Sequence, residues 1–479
     1  MEGFVGRSGE LNTLRAELEH VRSTGAGRFV WMRGRRRVGK SRLVQELCGA
    51  ADTPYCFFQA PRRSRSEALR DFCEAVAESS LEAAMDFAEA TFASWPAALR
   101  AAAAGASAAR PAIVVIDELP YLTERDPGFG ADLQKAWDRD YEHRPVLLVC
   151  IGSDVRMMEE LVAERSPLHG RPTRELRVAP LDPAAVAAIT SAESASDAID
   201  RYLVVGGFPL LAASWPRGAS REDFLRDALI DDQTPFVTSA ERIMASEFQA
   251  DLQARRVIEA IGHGETAHGR IASRSGVKGN TLSDALGVLI DAKRTVDKAL
   301  PYAVPPGRTA AKYTVLDPYL RFWLRFVGPR MAELSRGRSD LVVDRVLRDW
   351  NAYRGRAVEP LVREALERLL SGEQLAERLG GARHVGSFWT RTHEVEVDLV
   401  GGDAPTPSAI GFVGSIKWHE REPFGAREAA ALAVHRSRVP GGAAARLLAV
   451  SRTGAAPGVA VDVVVGPDEL LSAWRRSTG

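Results

Sequence analysis

The 479-residue sequence has few cysteines, no long apolar segment and no excess of either charge. Its four cysteines form no Cys-x-x-Cys pair and lie near no histidine at zinc-finger spacing, which argues against a structural zinc site. No stretch approaches the roughly 20 apolar residues that a membrane span needs, and no apolar signal segment precedes the patterned sequence. We therefore expect reduced thiols, no membrane partner and a cytoplasmic location.

The charge balance restricts the partners that the chain can bind. Lys plus Arg (63) equals Asp plus Glu (63), so net charge predicts no polyanion partner and any nucleic-acid surface must be local. Apolar residues make up 45% and charged residues 26%, which is typical of globular protein. The length predicts two to four domains.

The first part of the chain alternates strand-like and helix-like segments, which predicts an α/β domain with a parallel sheet. Several of its strands contain continuous apolar runs, as expected for strands buried on both faces. The Ala-rich segment Leu81–Ala109 favours helix. The predicted strands are Arg28–Arg33, Pro54–Ala60, Ala112–Asp117, Val146–Ser153 and Thr173–Leu181.

The rest of the chain changes pattern twice. A helical segment is followed by three short helices and a hairpin that spans Thr295–Thr314 through Pro301, Pro305 and Pro306. After Arg330 the pattern is a helix, three strands, a helix and a strand, with the main strand signals at His393–Val400, Ala409–Trp418 and Ala445–Ser451. We predict domains at residues 1–181, 182–247, 248–330 and 331–479.

Gly34–Ser41 matches the pattern GxxxxGK[ST] between a predicted strand and a helix. Glycines let backbone N–H groups converge on phosphate oxygens, and the helix N-terminus adds free donors. Lys40 would neutralise the β- and γ-phosphates, and Ser41 would bind Mg²⁺. The three cations Arg35–Arg37 are either an exposed basic tip or an extra phosphate or partner contact.

A carboxylate pair, Asp117–Glu118, follows the apolar run Ala112–Ile116. If that run is the strand next to the phosphate loop, Asp117 would hold the Mg²⁺ shell and Glu118 would orient or deprotonate water. Ser153 ends the next strand and is either a sensor between Asp117 and the γ-phosphate or an ordinary turn serine. These residues predict ATP and Mg²⁺ as cofactors.

Six short segments resemble the archaeal-type ATPases, a family within the AAA+-like and STAND-type P-loop ATPases. They are Phe4–Arg7 with Glu10-Leu11, Gly34–Leu43, Gly152-Ser153 with Met157-Met158, Ser166–Arg171, Gly206–Pro209, and Asp317–Leu320 with Trp323 and Phe326. One departure is Ser8, which stands where the family's first box usually has a Glu.

The resemblance implies further nucleotide contacts. Val5 and Gly6 would line the adenine pocket, and Pro209 would pack on the nucleotide from a helical lid. Arg171 is a candidate γ-phosphate sensor, with Arg165 and Arg174 as competitors. The predicted nucleotide-binding set also includes Arg7, Arg37, Val38, Gly39 and Arg42.

The same resemblance implies a winged helix-turn-helix region. Its recognition helix would be Thr281–Ile290, and the basic residues around it are Arg270, Arg274, Lys278, Lys293 and Arg294, with Asn280. The alternative is a packing or regulatory module that binds no DNA.

The C-terminal segment resembles a restriction-endonuclease-like domain, in which Glu359, Asp398 and Lys417 would be the nuclease residues. Ser415 stands where relatives have a metal-binding Glu, and a hydroxyl is a poor Mg²⁺ ligand, so the site is expected to be degenerate. Strand alternation places Glu394, Glu396 and Asp398 on one face, so Glu396 is a candidate substitute carboxylate.

The leading hypothesis is an ATP hydrolase whose nucleotide state controls binding of DNA or a protein partner. The alternatives are a slow nucleotide-dependent switch and an ATP-regulated nuclease. The protein partner and the oligomeric state remain open.

Overall fold

The computed structural model describes residues 5–89, 91–248, 251–305, 307, 311–392 and 394–475. The chain forms two compact units, Met1–Pro180 and Leu181–Gly479, called here the N-terminal and C-terminal units. Among the described helices, none has the length and apolar content to cross a membrane.

The N-terminal unit alternates strands and helices, as the sequence predicts. Its strands are β1 (Arg28–Arg33), β2 (Tyr55–Gln59), β3 (Ala112–Asp117), β4 (Val146–Gly152) and β5 (Arg174–Arg177). Its helices are α1 (Ser8–Thr24), α2 (Lys40–Ala50), α3 (Arg65–Ala77), α4 (Ala84–Glu89), α5 (Trp95–Ala102), α6 (Leu119–Arg125), α7 (Phe129–Arg139) and α8 (Val155–Glu160), with a 3₁₀ turn at Tyr141–His143.

The five strands form one parallel sheet in the order β2-β3-β4-β1-β5. Every residue of β3 and β4 is buried, because helices cover both faces of the sheet. This confirms the predicted α/β class. The expectation that β3 is the direct neighbour of β1 is wrong, since β4 lies between them.

Two segments of the N-terminal unit add detail to the sequence expectation. The Ala-rich segment, which favours helix, contains the two helices α4 and α5, and α5 starts where Ser94 takes the N-cap position and Pro96 fits a first helical turn. Strand β5 is shorter than Thr173–Leu181, since it is an exposed edge strand that pairs only with β1.

The C-terminal unit begins with helices and a hairpin. The helices are α9 (Pro183–Thr190), α10 (Ala195–Val205), α11 (Pro209–Ala213), α12 (Arg221–Ala228), α13 (Pro235–Phe248), α14 (Leu252–Gly262), α15 (His268–Ser275), α16 (Gly279–Gly287) and, after the hairpin, α17 (Pro318–Phe326). A π-helical turn, Val288–Ala292, extends α16, and the antiparallel hairpin pairs β6 (Val296–Ala299) with β7 (Lys312–Val315). The predicted three helices and hairpin are confirmed, although Pro306 lies outside the described residues.

A second, mixed sheet follows. After a 3₁₀ turn at Gly328–Arg330 come α18 (Met331–Leu334), α19 (Ser339–Ala357), α20 (Glu359–Leu369), α21 (Glu373–Arg378), β8 (His384–Trp389), β9 (Glu396–Gly402), β10 (Ile410–Lys417), α22 (Ala426–Arg436), β11 (Arg446–Ser451), β12 (Val463–Val465) and α23 (Pro467–Arg475). The sheet order is β12-β11-β10-β9-β8, with antiparallel pairing at β8-β9 and β9-β10 and parallel pairing elsewhere.

One hydrophobic core runs through the C-terminal unit from Leu181 to Trp474, so its helices and its sheet fold around shared apolar contacts. Two details depart from the sequence expectation. The predicted strand start, His393, lies outside the described residues, and β9 begins at Glu396. Glu394 therefore precedes the strand, and only Glu396 and Asp398 of the three lie in β9.

Candidate nucleotide site

The loop Gly34–Ser41 connects the carboxyl end of β1 to the N-terminus of α2. A Cβ atom on Gly34 would lie 2.3 Å from the carbonyl oxygen of Val178, so only glycine fits there. Gly39 has φ 92°, a left-handed conformation that other residues rarely adopt. These two glycines let the loop curl against β5 and enter the helix, which is the shape the motif predicts.

Lys40 is the buried cation of this loop. Its ammonium donates hydrogen bonds to the carbonyl oxygens of Gly34 (2.8 Å) and Arg35 (2.9 Å). Burial lowers the pKa of Lys40 to about 8, while the carboxylates of Glu118 and Asp117 act in the opposite direction. The lysine therefore sits beside two acidic groups in a partly desolvated site.

Asp117 and Ser41, which are distant in sequence, are joined by a hydrogen bond. The Ser41 hydroxyl donates to Asp117 Oδ2 at 2.6 Å, and the Glu118 backbone N–H donates to Asp117 Oδ1 at 2.8 Å. Asp117 is only 2% exposed, and burial raises its pKa above the usual range. Two hard oxygen donors thus lie side by side next to the lysine.

Glu118 and Ser153 are also in contact. Glu118 has φ 54°, a strained conformation for a residue with a side chain. The Ser153 hydroxyl donates to Glu118 Oε2 at 2.7 Å, and Arg36 Nε lies 3.3 Å from Ser153 Oγ. Because β4 lies between β3 and β1, its last residues bring Ser153 between the carboxylate pair and the loop.

Arg7 has a structural contact that the sequence did not indicate. Its guanidinium is buried and donates to the carbonyl oxygens of Val38 (2.9 Å) and Ala179 (2.6 Å). It also pairs with Glu10 at 2.8 Å. Arg7 therefore fastens the chain before α1 to the phosphate loop and to the segment after β5. The sequence pointed to Arg7 only as the last residue of the box Phe4–Arg7. It could not indicate the acceptors, because these are backbone carbonyl oxygens and any residue type supplies them.

The other members of the predicted nucleotide set differ in burial: Val38 is fully buried, whereas Arg37 and Pro209 are partly exposed. Val5 is 40% exposed, Gly6 has φ 84°, and Arg42 on α2 lies 3.4 Å from Glu46. Phe4 of the same box is outside the described residues. Pro209 is in the first turn of α11, in the C-terminal unit. Their nucleotide contacts stay predictions.

The three candidate sensor arginines differ in their contacts. Arg171 pairs with Asp138 at 3.3 Å. Arg174 pairs with Glu17 at 2.9 Å and lies beside Val30, three residues before the end of β1 where the phosphate loop starts. Arg174 is therefore placed away from the phosphate loop. The third candidate, Arg165, is exposed.

The predicted nuclease residues of the C-terminal unit have separate surroundings. Asp398 Oδ2 accepts hydrogen bonds from the Ser415 hydroxyl (3.0 Å) and the Ile416 N–H (2.8 Å). Burial raises the pKa of Glu359 to about 7, although 31% of its side chain remains exposed. Lys417, at the end of β10, is half-buried. Within the described ranges, no group of three or more His, Cys, Asp or Glu side chains is arranged to hold a metal ion.

The β6–β7 hairpin lies against the C-terminal sheet. Lys312 pairs with Glu396 at 2.5 Å, and its ammonium lies 4.6 Å from the centre of the Trp389 ring. The Tyr302 N–H donates to the Ser387 carbonyl oxygen at 2.8 Å, and its hydroxyl donates to the Ala404 carbonyl oxygen. Glu396, the candidate substitute carboxylate, is thus paired with a hairpin lysine.

A parallel sheet with a glycine-rich loop, a buried lysine and a serine–aspartate pair defines a P-loop nucleotide-binding domain of the ATPase class. Residues 4–209 match the family described as an ATPase domain predominantly from Archaea, and residues 323–430 match a family of archaeal and bacterial proteins of unknown function. Residues 4–209 therefore resemble this predominantly archaeal ATPase domain, which confirms the ATPase part of the resemblance inferred from the sequence.

The individual relatives have low sequence identity to this chain. The uncharacterised protein MJECL04 of Methanocaldococcus jannaschii is 23% identical over 427 residues, which cover 87% of this chain and 88% of the relative. The Walker-type ATPase PABY2304 of Pyrococcus abyssi is 17% identical, with a TM-score of 0.47 over 67% of this chain and 96% of that chain. The ORC2 protein of Aeropyrum pernix, in its ADPNP–ADP complexes, is 14% identical, with a TM-score of 0.45 over 72% and 97%.

Proposed function

We propose that the N-terminal unit binds ATP with Mg²⁺ and hydrolyses it to ADP and phosphate. The observation that carries this proposal is the 2.6 Å hydrogen bond between the Ser41 hydroxyl and Asp117, beside the buried Lys40. Residues from two separate motifs meet there, at the carboxyl ends of parallel strands where α/β proteins bind ligands.

The residues fit both proposed ligands. Mg²⁺ prefers oxygen ligands and is usually held by one or two protein groups plus phosphates, which matches Ser41 and Asp117. The loop N–H groups and Lys40 are the donors that a triphosphate requires. When bound, Mg²⁺ would neutralise charge on the phosphates.

The other side chains have separate proposed tasks. Glu118 orients the attacking water or accepts its proton, and Ser153 holds the Glu118 carboxylate through its hydroxyl. Lys40 offsets the charge that develops on the transferred phosphoryl group. Arg171 stays the candidate for γ-phosphate sensing, which requires release from Asp138.

The test is phosphate release by Lys40→Ala and Glu118→Gln variants. We expect each turnover to fall by about 10²-fold or more, because each variant removes a charge or a water-positioning group at the reacting phosphate. Lys135→Ala, which removes an exposed lysine on α7, is the matched control and should retain full turnover. Turnover that survives both substitutions at the site would refute hydrolysis there.

A second proposal concerns the output of the nucleotide site. We infer that α14–α16 bind DNA as a helix-turn-helix, because Arg270, Lys278 and Asn280 are exposed around the start of α16. Arg270→Ala and Lys278→Ala should each weaken DNA binding and lower the salt dependence, by a slope of about one for each lost phosphate contact. Arg427→Ala, an exposed arginine on α22, is the control.

Measured turnover separates the remaining readings. Stimulation by DNA would favour a remodelling ATPase, whereas slow, DNA-independent turnover would favour a nucleotide-dependent switch that binds a protein partner. We do not favour DNA cleavage, because Asp398 already accepts two hydrogen bonds and Ser415 supplies no charge. Plasmid cleavage with Mg²⁺ or Mn²⁺ that disappears in Asp398→Ala would overturn that view.

A further inference from the structure

A cavity of about 750 Å³ lies within the C-terminal unit. It is bordered by α13, α14, α15, α17 and the turn Gly328–Arg330. Its volume falls within the range of roughly 300–1,000 Å³ that small-molecule sites occupy. Helices α14 and α15 belong also to the region proposed above for DNA, but α16 and the β6–β7 hairpin do not border the cavity.

Two glycines fix the walls of this cavity. A Cβ atom on Gly262 would lie 2.4 Å from Leu324 Cβ, which holds α14 close to α17. A Cβ atom on Gly328 would lie 2.4 Å from the Trp323 ring, which holds the following turn against α17. Close packing at these contacts means that the cavity is formed by the fold itself and needs no rearrangement to accept a ligand.

The charged lining of the cavity is mainly basic. Its charged side chains are Arg242, Arg255, Arg256, Arg274, Glu241 and Glu259. Arg255 is paired with Glu259 at 3.0 Å, and Arg274 lies 3.9 Å from Glu265. Arg242 and Arg256 are exposed, and the described part of the chain gives neither of them an ion pair or a hydrogen bond. Two guanidinium groups on neighbouring helices are therefore available to a ligand.

Buried groups beside the cavity lie in the same positive field. Burial lowers the pKa of His263, and the nearby Arg274, Arg325 and Arg330 lower it further. Trp323 is 6% exposed, and its indole N–H has no acceptor among the described residues. The lining therefore has more cationic donors than carboxylate acceptors, with four arginines against two glutamates.

We propose that this cavity binds a small ligand that carries a phosphate or pyrophosphate group. Guanidinium groups donate paired hydrogen bonds that match phosphate oxygens, and Arg242 and Arg256 supply them from two helices around one recess, which Arg274 also lines. A nucleic-acid backbone would instead need cations spread along an extended surface. The recess therefore favours a compact anion, and the proposal does not depend on the activity of the P-loop.

The test is calorimetric titration of pyrophosphate into the full-length chain and its Lys40→Ala variant, in which the P-loop contribution is removed. We expect an affinity that remains in Lys40→Ala and falls about tenfold or more when Arg242→Ala and Arg256→Ala are added, since each removes charged hydrogen bonds. Arg427→Ala, the exposed helical arginine used above, is the matched control and should bind as the parent does.

Thermal melting with and without pyrophosphate checks that each variant is folded and gives a second measure of binding, since a ligand of the native state raises the melting temperature. A Lys40→Ala chain that binds no pyrophosphate would overturn the proposal, and so would binding that is unchanged in the Arg242→Ala, Arg256→Ala variant. DNA, duplex or single-stranded, is the other possible ligand of these arginines. If DNA occupies the site at concentrations at which pyrophosphate does not, the arginines are assigned to nucleic acid instead.

Discussion

Replacing Arg7 with alanine tests how the phosphate loop is held in place. The guanidinium donates to the Val38 and Ala179 carbonyl oxygens and pairs with Glu10, and the side chain is only 6% exposed. Its removal leaves two backbone acceptors without their donor, in a region where water has little access. We therefore expect loss of stability in the N-terminal unit and a looser loop at Val38.

The magnitude follows from the kinds of hydrogen bond that are lost. A hydrogen bond to a charged group contributes about 1.5–3 kcal/mol, and an i,i+3 ion pair on a helix contributes about 0.2–0.5 kcal/mol. Two such hydrogen bonds and one such pair predict a loss of about 3–6 kcal/mol for Arg7→Ala. Arg7→Lys keeps the charge but lacks the forked donors, so it should lose less than Arg7→Ala.

Hydrogen-exchange mass spectrometry is the suitable assay, because it reports on each unit separately and needs no two-state assumption for the whole chain. Protection should fall in the peptides that contain Val38 and Ala179, and KM for ATP should rise. Arg15→Ala is the matched control, since Arg15 is an exposed arginine on α1, the helix that follows Arg7. If Arg7→Ala and Arg15→Ala lose the same protection within about 1 kcal/mol, the inferred role of Arg7 is refuted.

Three further predictions concern the site and the hairpin. Because burial lowers the pKa of Lys40 to about 8, ATP affinity should be constant below that pH and fall by up to about tenfold per unit above it, and Lys40→Arg should abolish this break. Ser153→Ala removes the hydroxyl that holds Glu118, so kcat should fall about tenfold while KM for ATP stays unchanged. Tyr302→Ala removes the hydroxyl that donates to the Ala404 carbonyl oxygen but keeps the backbone N–H bond to Ser387, so the hairpin amides should exchange faster.

The checks on these predictions are direct. A binding constant that varies with pH in Lys40→Arg as it does in the parent would assign the titration to another group. An unchanged kcat in Ser153→Ala would make Ser153 an ordinary turn serine. Exchange in β6 and β7 that is unaffected by Tyr302→Ala would show that the hairpin is held by its own strands, and peptides from β3 are the internal reference for all variants.

Local patterns in the sequence were sufficient for the elements of the N-terminal unit. Strands β1 and β3 have the bounds that their apolar runs predict, because a buried parallel strand needs apolar residues on both faces. The phosphate loop was equally readable, since the glycines, lysine and serine that it requires are contiguous. The start of α5 was missed, although Ser94 and Pro96 are local signals for a helix N-terminus.

What the sequence alone determined is therefore the class of the N-terminal unit, the loop Gly34–Ser41 and the acidic pair at the end of β3. Only the tertiary structure decided that β4 lies between β3 and β1, so that Ser153 reaches Glu118. Only the tertiary structure likewise decided the hydrogen bonds of Arg7, whose acceptors are the backbone carbonyl oxygens of Val38 and Ala179. Strand order and side-chain-to-backbone contacts join residues that are far apart in the chain, and they depend on packing rather than on any short pattern of residue types.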